Sequence, residues 1–571
     1  MLAFFRTFLA VIAAVLFLTI GPVLLLIGVA FLGNSGPQDD SWLTVRLSGS
    51  LLEYYGPVTM TDLVDHPPTC LMEITENLEK AAADDRIRGV IFRVEPFGAG
   101  LGKLDEIRAG IQRVREAGKP VYAHAVELTD PGLYVASACD STFLFPDGAL
   151  YLLGRGVTMQ HMKGTLDLLD VRPQFHAIDE YKSAHEMFTR KHASPEALEN
   201  LTNLVEDLDR AYDGVITDAR QLAPEALAAC REQAIFRGMA AVEANLVDDL
   251  LTWDELSDRL RGPHDHLRTI SSPEYGDVER RSLGLAGKTK VAVIHAQGFV
   301  TTAGDDRYDP VMGLAMGVDR VIDDLEEARS DSHVKAILLR LDTPGGATEG
   351  GLRLARAVAR ARDEKPVIVS VADVSTSAGY MMSAPANQII CPGSGITGSI
   401  GSIIGKFNVR GLYEKFGFTF DELAFSPNAF LFSELHDWTP EQRERIEEAH
   451  WAMYNDWIEE IARRRGLTPE EVHESARGQV WTGRQALERD LVDGLGGFEE
   501  ALQIVRQQAD LEEDSRLTLE HFPRDQTLMD VLLSGDLTRF AFQDILRAGW
   551  ASLSTGRWGH SGLSWEPRRV N

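Results

Sequence analysis

The chain of 571 residues carries one sequence pattern twice, and this duplication constrains the fold more than any other feature. A shift of 246 positions, which moves Lys119 onto Lys365, aligns the two halves. A pattern repeated over roughly 200 residues indicates one supersecondary arrangement used twice in the same chain. The other pairs of identical residues in this register are Pro120 and Pro366, Tyr134 and Tyr380, Ser137 and Ser383, Ala138 and Ala384, and Pro146 and Pro392.

The two copies differ at positions whose side chains could support chemistry. Ser377 of the second copy aligns with Pro131 of the first, and Lys182 of the first copy aligns with Asn428 of the second. A serine can act as a nucleophile and a lysine as a base, but each copy lacks one of the two groups. We therefore predict that each copy supplies half of one site.

Length and composition divide the chain and exclude some functions. We expect an N-terminal segment 1–41, a first repeat 42–261, a linker 262–286, a second repeat 287–510 and a C-terminal extension 511–571. The formal net charge of -29 argues against nucleic acid as a partner, because phosphate binding depends on clustered Lys and Arg. The four cysteines have no CxxC spacing, so they predict neither a disulfide framework nor a zinc site.

The N-terminal segment is strongly apolar. Thr7 to Leu32 is a run of 26 residues without a charge, whereas about 20 apolar residues are enough to cross a bilayer. A cleaved signal peptide is the competing interpretation, although its apolar region usually has only about 7 to 15 residues. Arg6 precedes the run, and Asp39 and Asp40 follow it, which favours a cytoplasmic N-terminus. We predict a retained single-pass anchor with the rest of the chain on the non-cytoplasmic side.

Short apolar runs alternate with helical patterns in both copies, which indicates an α/β architecture. In the second copy, the run Ala336–Leu341 leads into Asp342-Thr343-Pro344-Gly345-Gly346, and a helix is expected over Glu349–Arg362. The next strand is expected at Val367–Val371. Later, Ser194-Pro195 and Thr439-Pro440 predict helix starts, with a hydroxyl at the N-cap and proline at the first helical position.

Two turns of the second copy are candidate parts of a reactive site. Gly345-Gly346 could let backbone N–H groups approach a bound carbonyl, although an ordinary strand-to-helix turn is the simpler interpretation of the pair. Ser377 lies between a strand and a helix, where a serine can expose its oxygen as nucleophile elbows do. The simpler role for this serine is an N-cap of the helix that follows it.

These motifs together resemble the signal peptide peptidase A family, also called protease IV. The resemblance rests on the Pro-Gly-Gly turn, Thr376-Ser377-Ala378-Gly379-Tyr380 and Ile396-Thr397-Gly398-Ser399-Ile400-Gly401. It also includes Tyr181-Lys182-Ser183-Ala184, Val480-Trp481-Thr482-Gly483 and Leu491-Val492-Asp493. It spans most of residues 1–510 and is similar to the long, two-domain form of that family.

The resemblance implies a Ser/Lys dyad with Ser377 as the nucleophile and Lys182 as the general base. It implies an oxyanion hole made by the backbone N–H groups of Ala378 and Gly346. It also implies a role for Ser399 in orienting the lysine, for which an ordinary turn serine is the alternative. The family usually has two glycines after its serine, so the methyl group of Ala378 is expected to narrow the pocket. His185, close to Lys182 in sequence, is the rival base.

The same resemblance implies a tandem ClpP/crotonase-like fold and a membrane-anchored serine endopeptidase that degrades released signal peptides and other apolar peptides. It implies no metal and no cofactor, and a homo-oligomer, for which a tetramer is one option. The implied location is the cytoplasmic (inner) membrane of a cell. Two alternatives stay open from the residues alone: a non-catalytic membrane scaffold, and a crotonase-type acyl-CoA enzyme, because fold alone does not fix function.

Overall fold

The computed structural model describes residues 36–54, 70–309 and 312–524. Within these ranges the chain builds two large, mainly parallel β-sheets, one from each half. The predicted α/β class is confirmed, and the duplication in the sequence is a duplication of the fold.

The first half contains the first sheet and the helices around it. Its strands are β1 (Ser41–Ser50), β2 (Ile87–Gly98), β3 (Val121–Leu128), β4 (Ser141–Tyr151), β5 (Arg172–Ala177), β6 (Ile235–Arg237), β7 (Asp249–Leu250) and β8 (Thr269–Ser271). Its α-helices are α1 (Leu71–Ala83), α2 (Leu101–Glu116), α3 (Asp130–Ala136), α4 (Lys163–Leu169), α5 (Glu186–Thr189), α6 (Pro195–Arg220), α7 (Pro224–Gln233), α8 (Met239–Glu243), α9 (Trp253–Leu260) and α10 (Ser272–Gly276). Short 3-10 helices cover Ser183–His185 and Arg280–Leu283.

The second half repeats this order with additions. Its strands are β9 (Thr289–Gln297), β10 (Phe299–Val300), β11 (Arg307–Asp309), β12 (Gly313–Met316), β13 (Val334–Thr343), β14 (Val367–Thr376), β15 (Gln388–Cys391), β16 (Ile396–Gly398), β17 (Ile403–Asn408), β18 (Val480–Thr482), β19 (Gly494–Leu495) and β20 (Leu517–Phe522). Its helices are α11 (Val318–Ser330), α12 (Thr348–Arg362), α13 (Ala378–Ser383), α14 (Arg410–Lys415), α15 (Pro440–Arg465), α16 (Pro469–Ser475), α17 (Gly483–Leu487) and α18 (Phe498–Gln508).

The two large sheets have the same topology. The first runs β6-β4-β3-β2-β1-β8 with β7 beside β4, and the second runs β18-β16-β14-β13-β9-β20 with β15 beside β14 and β19 beside β15. In both sheets, only the pair at one edge is antiparallel, β4 with β6 and β16 with β18. Loops that follow the parallel strands therefore gather along one edge, which is where ligands bind in open α/β sheets.

Buried strands account for the core of each half. The run from Ala336 to Leu341 is at most 1% exposed, as expected for a parallel strand that is covered on both faces. Helices α11 and α12 pack against β9 and β13 in one apolar cluster, and α1 and α2 pack against β1 and β2 in the corresponding cluster of the first half. The predicted helix starts at Ser194 and Thr439 are also confirmed, since each side chain caps its helix.

The segments at the two predicted boundaries each add a strand to the edge of one large sheet. Residues 262–286, expected to be a linker, contribute β8, which pairs in parallel with β1. Sequence comparison gives residues after Asp510 no counterpart in the first copy, but β20 pairs with β9 in the way that β8 pairs with β1. These strands are short and mixed in polarity, so their correspondence is visible in the sheet and not in the sequence.

A small two-stranded sheet connects the halves. Strand β5 of the first half pairs antiparallel with β17 of the second, from Ala177 opposite Ile403 to Arg172 opposite Asn408. Lys182 follows β5 closely in the chain. This pairing therefore brings the first half's lysine to the second half's sheet edge.

No helix of the described residues is long and apolar enough to cross a membrane. The predicted span from Thr7 to Leu32 lies outside those residues.

Candidate active site

Ser377 lies where β14 ends and α13 begins. The sequence predicts that this strand stops at Val371, but β14 continues to Thr376 because its last residues pair with β16. The backbone of Ser377 has φ 54° and ψ -114°, a conformation that is rare for a residue with a Cβ and that costs about 1–3 kcal/mol. Its hydroxyl makes no capping hydrogen bond to the helix, so the N-cap role does not describe this serine.

Lys182 meets this serine across the two halves. Its Nζ donates to Ser377 Oγ at 3.0 Å, although the two residues are 195 positions apart in the chain. It also donates to Ser399 Oγ at 2.8 Å and to the Ser399 carbonyl oxygen at 2.7 Å. Lys182 is 7% exposed. The predicted contact between the two halves of the site is therefore present as a direct hydrogen bond.

Glycines give the lysine the room that it occupies. A Cβ on Gly478, which has φ +84°, would lie 2.4 Å from the backbone nitrogen of Lys182. A Cβ on Gly401 would lie 3.5 Å from Lys182 Cδ. Sequence reasoning did not single out Gly478, because a lone glycine between Arg477 and Gln479 has the composition of any turn.

Burial prepares Lys182 to accept a proton. It lowers the pKa of Lys182 to about 7, because removal from water disfavours the charged ammonium. A substantial fraction of the side chain is therefore neutral near pH 7, which is the form that a general base requires. Ser399, with φ 52°, accepts hydrogen bonds from the nitrogen with both its hydroxyl and its carbonyl.

His185, the rival base, points elsewhere. Its Nδ1–H donates to the backbone carbonyl of Lys182 at 3.1 Å, and its ring packs against Phe175. In the part of the chain that the structure describes, Lys182 is the side chain that donates to Ser377 Oγ. The geometry therefore favours Lys182 over His185.

The Pro-Gly-Gly turn lies directly beside Ser377. A Cβ on Gly345, which has φ +93°, would lie 2.8 Å from Ser377 Cβ and 3.2 Å from the Ala378 nitrogen. Val300 donates to the Gly345 carbonyl and accepts from Ala347 N–H, both at 2.9 Å. Since this bridge uses the groups on either side of Gly346, the N–H of Gly346 itself points away from Val300. It is thus available as a donor near the serine.

Ala378, which departs from the family pattern, and Thr343 both fit the site. Ala378 is 2% exposed, and its methyl group packs against α12, where a Cβ on Gly351 would lie 3.0 Å away. The methyl is thus accommodated in the core, and the expected narrowing of the pocket has no support in the packing. Thr343 Oγ1 accepts from Gly345 N–H at 3.1 Å and so supports the glycine turn from within.

Among the described residues, no group of three or more His, Cys, Asp or Glu side chains is arranged to hold a metal ion. The site combines a buried lysine, a serine on a strand-to-helix turn that is hydrogen-bonded to it, and backbone donors beside the serine. This is the arrangement of a serine hydrolase whose base is a lysine.

The chain belongs to peptidase family S49. The model of that family matches residues 113–266, which include Lys182, and again residues 359–512, which include Ser377. The resemblance drawn from the motifs is confirmed, and the chain is a serine endopeptidase.

Two curated relatives agree with this assignment, and a solved structure is reported beside them. The chloroplastic serine protease SPPA of Arabidopsis thaliana is 30% identical over 81% of this chain and 69% of its own length. Protease 4 of Salmonella typhi is 30% identical over 81% of this chain and 75% of its own length. The 1510-N membrane-bound stomatin-specific protease, as a K138A mutant with a substrate peptide, has a TM-score of 0.26 at 15% identity and covers 43% of this chain and 97% of its own.

Proposed function

We propose that the chain cleaves peptides with a Ser377/Lys182 dyad through an acyl-enzyme. Neutral Lys182 accepts the hydroxyl proton of Ser377 while Oγ attacks the peptide carbonyl carbon. The N–H groups of Ala378 and Gly346 stabilise the oxyanion that forms. Lys182 then gives the proton to the leaving amine, and water releases the acyl group by the reverse use of the same groups. The observation that carries this proposal is the 3.0 Å contact between Lys182 Nζ and Ser377 Oγ.

Ser399 serves in this mechanism as the residue that orients the lysine. In the neutral amine, its hydroxyl and carbonyl accept from the two N–H groups, which leaves the lone pair of the nitrogen for the hydroxyl of Ser377. A lysine has a long and flexible side chain, so fixing its nitrogen in advance lowers the entropic cost of reaching the transition state.

The substrates in this proposal are released signal peptides and other apolar peptides, and the enzyme is anchored in the cytoplasmic membrane. The uncharged run from Thr7 to Leu32 supports the anchor and the orientation with the body on the non-cytoplasmic side. An anchored enzyme meets peptides that remain in or near the bilayer. The ClpP/crotonase-like fold is part of the same proposal, supported by the mainly parallel sheets and the helices packed against them.

A homo-oligomer, with the tetramer as one option, completes the proposal. An exposed apolar surface supports it, formed by side chains in and around the segment between α14 and α15. Phe425 is 96% exposed in the single chain, and such surfaces on soluble domains mark interaction sites. The other members are Phe416, Phe418, Leu423 and Phe432.

The alternatives fit the site less well. Burying an ammonium without a carboxylate partner costs stability. A scaffold gives no reason for that cost, because it does not need Lys182 to lie against Ser377. An acyl-CoA enzyme does not require a lysine base at the serine. We therefore propose no second function.

The test is cleavage of an apolar signal-peptide-like substrate by the full-length protein in detergent. Ser377→Ala and Lys182→Ala are each expected to reduce kcat by at least about 10³-fold while the circular dichroism spectrum stays unchanged. Lys406→Ala is the matched control, because the contacts of its ammonium among the described residues are with the Leu431 and Ser433 carbonyls and the Trp438 ring. Near wild-type turnover by either dyad variant would reject the mechanism.

A further inference from the structure

The first half also contacts the loops that carry Ser377 and Gly346 through the N-terminus of α2. A Cβ on Gly102 would lie 2.2 Å from the Ala372 carbonyl oxygen, and one on Gly100 would lie 2.4 Å from the Asp373 carboxylate. Only glycine permits this approach. The glycines in Gly100-Leu101-Gly102-Lys103 therefore bring a helix of the first half against β14 of the second.

Asp373 takes the place of a capping residue for α2. Its Oδ2 accepts from the backbone N–H of Gly100 and its Oδ1 from that of Lys103, both at 2.9 Å. The helix's own N-cap is Gly100, which has no side chain to offer. A carboxylate at this position is favourable, because the first N–H groups of a helix have no partners within it. The strand leading to Ser377 is therefore fixed to the first half.

Lys103 binds the last part of each of the two strands, β13 and β14, that lead into the site. Its Nζ lies 2.7 Å from Asp342 Oδ2 and 3.6 Å from Asp373 Oδ2, and it donates to the Leu51 carbonyl at 3.1 Å. Asp342 begins the turn that leads to Gly346, and Asp373 precedes Ser377 by four positions. We call Lys103, Asp342 and Asp373 the Lys103 clamp. It ties the nucleophile loop to the glycine turn.

The two copies supply different members of the clamp, just as they supply different members of the dyad. In the register of the duplication, Lys103 aligns with Glu349, while Asp342 and Asp373 align with Pro96 and Glu127. A clamp of this composition therefore exists in one direction only, with its lysine from the first copy and its carboxylates from the second. The same division holds for Lys182 and Ser377.

Charge explains why the clamp needs its lysine. Lys103 is 5% exposed, and the side chains of Asp342 and Asp373 are 18% and 12% exposed. Burial raises the pKa of Asp373 to about 6, with Asp342 acting in the same direction and Lys103 against it. Two neighbouring carboxylates in this environment repel each other once the cation between them is removed.

We propose that Lys103 is a positioning residue, which sets the placement of the Ser377 loop relative to the Gly346 turn and so the geometry of acyl transfer. The proposal rests on the proposed Ser377/Lys182 mechanism. Lys103 acts through Asp342 and Asp373 and does not touch the substrate. It makes the first half responsible for the geometry of the nucleophile as well as for the base.

The test compares steady-state cleavage by full-length Lys103→Met and Lys103→Arg with a matched control. Lys80→Met is that control, because Lys80 is 2% exposed and donates to the Tyr275, Gly276 and Val278 carbonyls, away from the clamp. We expect Lys103→Met to lower kcat at least about tenfold with KM within about twofold, since misplacement of reacting groups acts on the chemical step. We expect Lys103→Arg to recover part of kcat, and Lys80→Met to leave kcat per folded molecule unchanged.

A kcat for Lys103→Met equal to that of Lys80→Met, per folded molecule, would overturn the proposal, and so would a raised KM with unchanged kcat. If Lys103→Met does not fold, Asp342→Asn decides, because it keeps the shape of the side chain and removes one charge of the clamp. The same kcat loss without a change in KM supports the clamp, and unchanged kcat overturns it. Ser377→Ala, run in parallel, tests the mechanism itself, since its activity would reject the dyad whatever Lys103 does.

Discussion

Lys182 has to be buried and yet able to give up its proton. The pocket formed by Ser399, Gly401 and Gly478 removes water from the nitrogen but supplies no carboxylate to hold the charge. An ion pair would raise the pKa of the lysine and keep it charged, whereas hydroxyl and carbonyl acceptors fix its position with less penalty on the neutral form. The site thus orients the base without disabling it.

The pH dependence of turnover follows from this burial. Because the pKa of Lys182 is lowered to about 7, the inactive ammonium dominates below that pH and the active amine above it. We expect kcat/KM to rise tenfold per pH unit on the acidic side and to level off above about pH 7. A profile that instead falls as pH rises through 7 would contradict a lysine base.

The same burial predicts a conflict between stability and activity. In Lys182→Met, an apolar side chain of similar length replaces a desolvated amine, so we expect a higher urea midpoint at pH 7 together with lost activity. The folded pKa lies below the unfolded value of 10.5, so the unfolded state binds more protons between about pH 7 and 10.5. Wild-type stability should therefore rise relative to the variant across that window. A difference in stability between the two proteins that stays constant over this pH range would show that the pKa of Lys182 is not lowered in the folded state.

At the residue scale, the duplication and the family motifs identified both members of the dyad. Ser377 and Lys182 stand out because the other copy has Pro131 and Asn428 in their places. Local sequence could not show that they meet, because the two residues are 195 positions apart in the chain. Gly478 and Lys103 were missed for the same reason: their contacts come from other segments of the chain.

At the scale of elements, turns decide where the functional groups lie. Buried runs such as Ala336–Leu341 predicted the central strands, because strands covered on both faces are apolar along most of their length. The short strands β5, β17 and β20 were not predicted, since their polarity is mixed and their stability comes from pairing with distant segments. These are the strands that join the halves or complete a sheet edge.

The loop around Gly478 offers a test at this scale. Gly478→Ala and Gly466→Ala both place a methyl on a backbone with positive φ, +84° and +70°, at a cost of about 1 kcal/mol each. Only the methyl at Gly478 meets Lys182, whereas the one at Gly466 meets nothing within 4 Å. We expect Gly478→Ala alone to lose peptidase activity by more than about tenfold. Equal activity of the two variants would show that this loop does not position the base.

At the scale of the whole molecule, a buried ion network fixes one half against the other. Arg340, which is fully buried on β13, donates to Glu53 at 2.7 Å and to Glu106 at 2.8 Å, both from the first half. It also donates to Ser370 Oγ at 2.7 Å. Since the dyad is divided between the halves, their relative placement sets the distance between Lys182 and Ser377. The sequence did not predict this network, because no local sequence pattern indicates which distant residue a charged side chain within a strand or helix will contact.

Removal of the network's cation should loosen the whole molecule. Arg340→Met leaves Glu53 and Glu106 buried without their cation, and we expect the free energy of unfolding to fall by about 3–5 kcal/mol. Arg360→Met, which removes an exposed pair with Glu326, should cost less than about 1 kcal/mol. Urea unfolding of both variants measures the difference. Equal losses would mean that the buried network does not hold the halves together.

The central claim is that Ser377 is acylated only when Lys182 can take its proton. The most direct measurement is the intact mass of the full-length protein after brief reaction with an activated peptide ester, followed by peptide mapping of the adduct. We predict an acyl adduct on Ser377 in the wild type at pH 8 and at least about 10²-fold slower labelling in folded Lys182→Ala. An adduct on another residue, or equal labelling of both proteins, would contradict the account.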